Sequence, residues 1–236
     1  MDSFKIEAIQ FNMFYDFVPN MRENATDIEK EMKLFFPLGC NVVQDLGPNA
    51  PVEMPCIFGG NQDLKYNMAI SKINGTFSWQ KNDKDEQPVD IFKEFETGVT
   101  KFYNTVLDKV PGKKTTFCGI TVQVEYPCKS SAVKRIEEVF LKVSLDQKIH
   151  DAAVKLTFLQ DNEYYINVSI SNKRDIKDLN KDIAIVVQID INDRHRYNLA
   201  NGMNSYSKND VLKSLLNICN DVINKRLEKL LTNGEY

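Results

Sequence analysis

No stretch of the 236-residue chain approaches the ~18 to 20 consecutive apolar residues that span a bilayer. The N-terminal MDSFKIEAIQFN has no basic region followed by an apolar one, so no leader is expected and a cytoplasmic location is. Cysteine is sparse and unpatterned. Cys40, Cys56, Cys118, Cys128 and Cys219 are odd in number and never spaced as CxxC, which argues against a disulfide framework and a zinc site and for free structural thiols. There is no GxSxG, no HExxH and no Walker loop, and Gly59-Gly60 lacks the Lys-Ser/Thr of a phosphate cradle. Nothing points to a cofactor, and the balance leans away from an enzyme. Three glycosylation triplets, at Asn24, Asn74 and Asn167, are what an Asn-rich chain yields by chance.

What the chain does have is strand signal. In Asp182–Asn192, Ile183, Ile185, Val187, Ile189 and Ile191 share one face with polar residues between them, the period of two of a half-buried strand, here expected to be central. Near the N-terminus Phe4, Ile6 and Ala8 alternate, and then Ile9, Phe11, Met13, Tyr15 and Phe17 continue on the other parity, which predicts a long strand with a bulge near Ala8. Met21, Ala25, Ile28, Met32, Phe35 and Phe36 form a helical stripe that Pro37 stops. Residues 38 to 64, with Pro48, Pro51, Pro55 and Gly59-Gly60, read as an irregular loop holding one or two short strands. Asn74-Gly75 predicts a two-residue hairpin turn that pairs Ile70 with Trp79 and puts Tyr66, Met68, Ile70, Phe77 and Trp79 on one face. A helix is expected from about Pro88 to Lys109.

After Pro111-Gly112 come a strand through Cys118, Ile120, Val122, Val124 and Tyr126, and a helix through Val133, Ile136, Phe140 and Val143 started by Ser130 or Ser131. Two strands then flank Asp161-Asn162-Glu163, a loop that needs three residues to keep both apolar sets on one face. A polar link from Asn172 to Lys181 precedes the Asp182 strand. The closing helix, with Ser207 and Asp210 as a capping box, carries a stripe from Val211 to Leu231.

The order of elements repeats. Residues 1–110 read β-α-β-β-α and residues 111–236 β-α-β-β-β-α, predicting an α+β fold of duplicated units, packed as one body, with antiparallel curved sheet covered on one face by long helices. This order resembles TATA-binding-protein-like folds. The NGTFSWQ hairpin followed by a long helix, and IVVQIDIND with its closing helix, resemble a sporadically distributed family of uncharacterised bacterial proteins of similar length. That resemblance supplies no catalytic residues and implies an accessory or defence-linked role.

Net charge is −3, no global invitation to nucleic acid or an anionic membrane, although residues 1–110 are acidic and 111–236 basic on balance. Lys173, Arg174 and Lys177, joined by Arg194 and Arg196, are the candidate nucleic-acid contacts, interleaved with Asp175, Asp178 and Asp182. Asp190, Asp193 and His195 could in principle meet at a metal, but Arg194 and Arg196 oppose a cation. Glu31-Met-Lys33 fits the bare ExK of nucleases and reads as a solvated helix face. Leu230 and Leu231, at the end of the closing stripe, are candidate interface residues. The preferred expectation is a non-enzymatic module that binds a protein partner or itself. A nucleic-acid binder and an enzyme or small-ligand receptor with a pocket between sheet and helix are the alternatives.

Overall fold

Alternating apolar and polar residues build the molecule, because each strand can bury only one of its two faces. The computed structural model describes residues 4–43, 47, 49–60, 65–82, 87–128, 131–142, 149–200 and 205–236; Pro48, Ser130 and Val143 lie outside them. The chain is an α+β protein on a single nine-stranded antiparallel sheet. Its strands are β1 (Lys5–Phe14), β2 (Cys40–Val42), β3 (Ile57–Gly60), β4 (Tyr66–Ile70), β5 (Asn74–Gln80), β6 (Phe117–Pro127), β7 (Ala153–Gln160), β8 (Tyr164–Asp175) and β9 (Asp178–Asn192), in the order β2-β3-β4-β5-β1-β6-β9-β8-β7. The β1–β6 pair is the seam between residues 1–110 and 111–236. Outward from it, each half places its own last strand next and then counts back.

The helices are α1 (Ala25–Met32), α2 (Pro88–Leu107), α3 (Ala132–Ile136), α4 (Arg194–Leu199), α5 (Val211–Asp221) and α6 (Leu227–Asn233), the last two joined by a wider π-helical turn at Val222–Arg226. α2 packs on β1 and β5, α5 on β6 and β9, and α3 on β8 and β9. Beneath them lie fully buried rows such as Phe77-Phe11-Ile120-Ile191-Ile166 and Trp79-Ile9-Val122-Ile189-Val168. Gly98 brings α2 close to the sheet, since a Cβ there would meet the Phe77 ring at 2.7 Å. Ser131 starts α3 by accepting the Lys134 N–H at 3.2 Å, and Gly234, at φ +74°, closes α6 by donating to the Leu230 carbonyl at 3.0 Å.

The bulge of β1 falls between Ile6 and Ala8, where its pairing with β6 shifts register. The β7–β8 loop holds the three residues between Gln160 and Tyr164, with Asp161 and Asn162 in the left-handed region that Asx residues tolerate.

Three local expectations are corrected. Asn74 and Gly75 are not a turn. They belong to β5, where Gly75 sits opposite Ile70 and Met13 without positive φ, and the chain reverses over Lys72-Ile73. The Ser71 N–H donates to the Asn74 carbonyl at 2.8 Å and the Asn74 N–H to Ser71 Oγ at 3.0 Å, while the buried Tyr15 hydroxyl reaches the carbonyls of Ser71 (3.0 Å) and Asn74 (2.8 Å). Tyr15, the residue after β1, thus holds the turn that local propensity assigned to Asn-Gly. Because the register moves by an even number, the five predicted residues still share the buried face. The polar link before Asp182 is instead the far end of the β8–β9 hairpin, which pairs as far as Asp175 and Asp178. The capping box is absent: Asp210 itself precedes α5 and makes no side-chain cap, while the Ser207 N–H goes to the Thr115 carbonyl at 2.8 Å.

Candidate functional site

The alternation that fills the core leaves the other sheet face to hydrogen-bonding side chains. One row across it runs Asn41, Phe58, Ala69, Thr76, Asn12, Gly119, Asn192, Tyr165 and Leu159. The next runs Gly60, Asn67, Ser78, Gln10, Thr121, Asp190, Asn167 and Thr157, and a third Gln80, Ala8, Gln123, Gln188, Ser169 and Lys155. In these three rows only Gly119 is buried, whereas the rows of the opposite face are almost wholly so. Along them the charged side chains are Asp190 and Lys155, so the formal charge cancels. Charges gather instead at one margin, as in the Lys173–Glu125 ion pair.

The side chains hold one another in place. Asp190 accepts from the amides of Asn167 and Asn192, both at 2.9 Å, and from Thr121 Oγ1 at 3.4 Å. Asn167 in turn accepts from Thr157 Oγ1 at 2.9 Å. Asn12 Oδ1 accepts from Gln10 Nε2 at 3.0 Å and Thr76 Oγ1 at 2.9 Å. Gly119 makes room within the network, since a Cβ there would sit 3.0 Å from that of Asn192. Groups fixed in this way lose little freedom when a ligand arrives.

α4 covers one corner of the face, touching β6 and β8. His195 Nδ1 and the Tyr165 hydroxyl share a hydrogen bond at 2.8 Å with their rings edge to face. Phe14 and Phe117 stack across the β1–β6 seam at 4.2 Å, Tyr197 packs on Phe117 at 5.2 Å, and the Arg194 guanidinium lies 5.3 Å from the same ring. At the other end, Phe58 is 38% exposed beside a depression of about 330 Å³ whose floor and walls include Gly60, Asn67, Ala69, Thr76 and Ser78. Periodicity reveals both faces of each strand; which polar alternates become neighbours depends on strand order.

The residues singled out for nucleic acid are not brought together. Lys173, Arg174 and Lys177 are at the β8–β9 turn, and Arg194 and Arg196 at the other end of β9, roughly 35 to 55 Å away at about 3.4 Å per residue. Arg174 is occupied by Asp151 at 2.9 Å, the Leu179 carbonyl at 2.5 Å and the His150 carbonyl. Arg196 pairs with Glu163 at 3.1 Å, and Lys177 is exposed in its turn. Leu230 and Leu231 are each about 1% exposed in the core, which leaves them no surface for a partner.

Asp190, Asp193 and His195 also part company. Asp190 serves the open-face network, His195 meets Tyr165, and Asp193 turns inward to accept the Cys118 N–H at 2.6 Å, where burial raises its carboxyl above the usual range. Among the described residues no group of three His, Cys, Asp or Glu side chains could hold a metal ion. The five thiols are free, and burial raises every one of them, Cys40 to about 11, so they are protonated near neutrality and poor nucleophiles. Glu31 of the ExK triplet pairs with Lys101 across the α1–α2 groove. No described helix is long and apolar enough to cross a membrane. The sequence matches no protein-family model and no curated protein.

Proposed function

We propose that this protein is a non-enzymatic binding module that takes its partner on the open face of the sheet. One observation carries the reading: three adjacent rows of side chains, cross-linked by hydrogen bonds and nearly free of charge, carry among the described elements only α4 at one corner, while α2, α3 and α5 pack on the other side of the sheet. A face kept only for solvation has no need to exclude Lys and Glu, and charge depletion is a mark of binding surfaces. The matching strand order in the two halves supports a duplicated unit whose seam brings both halves to one surface. An accessory role in a bacterium rests on the family resemblance. The test is capture from a host extract by the wild-type chain and by a Ser78→Arg, Ser169→Glu variant of equal thermal stability. A ligand held equally by both chains would place binding elsewhere.

A second reading, a protein partner or self-association, is favoured by the outer edge of β7. This eight-residue strand ends the sheet, with no described strand on its far side, and its Val154, Leu156 and Phe158 are only partly buried. Such an edge accepts an added strand through its free backbone groups. Sedimentation of the wild type and a Thr157→Lys, Leu159→Lys variant separates the cases: self-association through β7 gives a concentration-dependent mass that the variant loses.

A further inference from the structure

We infer that the ligand class of the open face is carbohydrate, a neutral glycan lying across the strands with one sugar ring seated in the depression beside Phe58. The inference rests on the open face being the binding surface and adds the chemistry of what binds there.

Three observations converge on it. The rows present amides and hydroxyls, groups that both donate and accept, and a sugar hydroxyl asks for both at once. Next, the Phe58 ring is exposed at the rim of a depression that Gly60 and Ala69 leave unfilled, with Thr76 and Ser78 beside them. At about 330 Å³ the depression is within the size range of ligand sites, and an apolar ring at its wall suits the C–H face of a pyranose. Last, the formal charge of the three rows cancels, so they offer a polyanion no row of cations. Each phosphate of a nucleic acid asks for a cation, and the basic side chains stand at opposite ends of β9. A protein partner would call for large apolar or aromatic anchors at the centre of the patch, and here those side chains stand towards its ends, at Phe58, Tyr165 and Leu159.

Gly60 and Ala69 let the depression be filled from the open side of the sheet. Among the described residues a Cβ on Gly60 meets only Asn67 Oδ1, at 3.4 Å, and Ala69 points to the same side, away from the buried Met68 and Ile70. The experiment is affinity electrophoresis of the full chain in gels containing dextran, mannan, xylan or mixed-linkage β-glucan, with poly(U) RNA as the anionic probe. Wild type, Ala69→Leu and Phe58→Ala are compared, and thermal melts confirm that all three fold alike.

At least one neutral polysaccharide is expected to retard the wild type, with no loss between about 0.05 and 0.5 M NaCl because no ion pair is involved. Both variants should bind about tenfold more weakly. Retardation by none of the four polysaccharides overturns the inference. Binding of poly(U) alone, lost with salt and in Ala69→Leu, overturns the carbohydrate class while leaving the open face as the binding surface. Polysaccharide binding that neither variant weakens overturns the site. Should Ala69→Leu fold poorly, Gly60→Ala and Phe58→Ala give the same discrimination.

Discussion

A Cβ on Gly75 would stand 3.1 Å from the tip of the Phe102 ring. The glycine is thus the floor on which an aromatic residue of α2 rests, inside β5 and not in a turn. Gly75→Ala should destabilise the protein by about 1–3 kcal/mol through overpacking, and Gly75→Val by more. The cause is crowding, since Gly75 has no positive φ. Chemical denaturation measures it, and an unchanged midpoint for Gly75→Val would contradict the packing.

Leu215 in α5 and Leu231 in α6 are both essentially inaccessible. Truncation to Ala should cost about 2–5 kcal/mol at each position, transfer and cavity together. The loss should not change with protein concentration, because these side chains face the chain's own core. A loss in Leu231→Ala that appears only in dilute protein would reassign that residue to an interface between copies.

Asp193 gives an opposed pair of variants. Burial raises its folded-state value, so the fold loses stability as pH rises from the unfolded value, about 3.9, through the folded one. Asp193→Asn removes that ionisation and keeps an acceptor for the Cys118 N–H; it should be neutral or stabilising at pH 7. Asp193→Ala should cost about 1–3 kcal/mol by leaving that N–H without its acceptor. Thermal melts at pH 7 order the variants Asn, wild type, Ala.

The surface carboxylates run the other way. Hydrogen bonding to Arg174 holds Asp151 well below the usual range, Lys208 lowers Glu163, and Lys225 and Arg226 lower Asp221. Their contribution is complete above the unfolded values, about 4, and disappears as pH falls through the folded ones. Melting temperature should therefore decline below about pH 4, and by less in Arg174→Gln, which has already lost the Asp151 pairing. A decline of equal size in that variant would exclude the pair as a contributor.

Periodicity alone determined much of this molecule. Period-two alternation specified the buried faces of β1, β6, β8 and β9, and the phase slip in Ile6-Glu7-Ala8-Ile9 located a bulge, because side-chain direction is local geometry. The stripes of α2 and α5 were readable for the same reason, and so was the three-residue β7–β8 loop, whose length follows from parity. What the tertiary structure decided was which strands are neighbours. Asn74-Gly75 has strong turn chemistry, yet pairing with β1 and the Tyr15 hydroxyl moved the reversal to Lys72-Ile73, since non-local hydrogen bonds outweigh a dipeptide preference. The basic residues looked like one cluster in the sequence, but a 15-residue extended strand holds their two groups apart. Asn12, Gln10, Thr121, Asp190 and Asn167 come from four strands and meet only once the sheet is assembled. Each strand alone shows polar residues facing water; strand order makes them a surface.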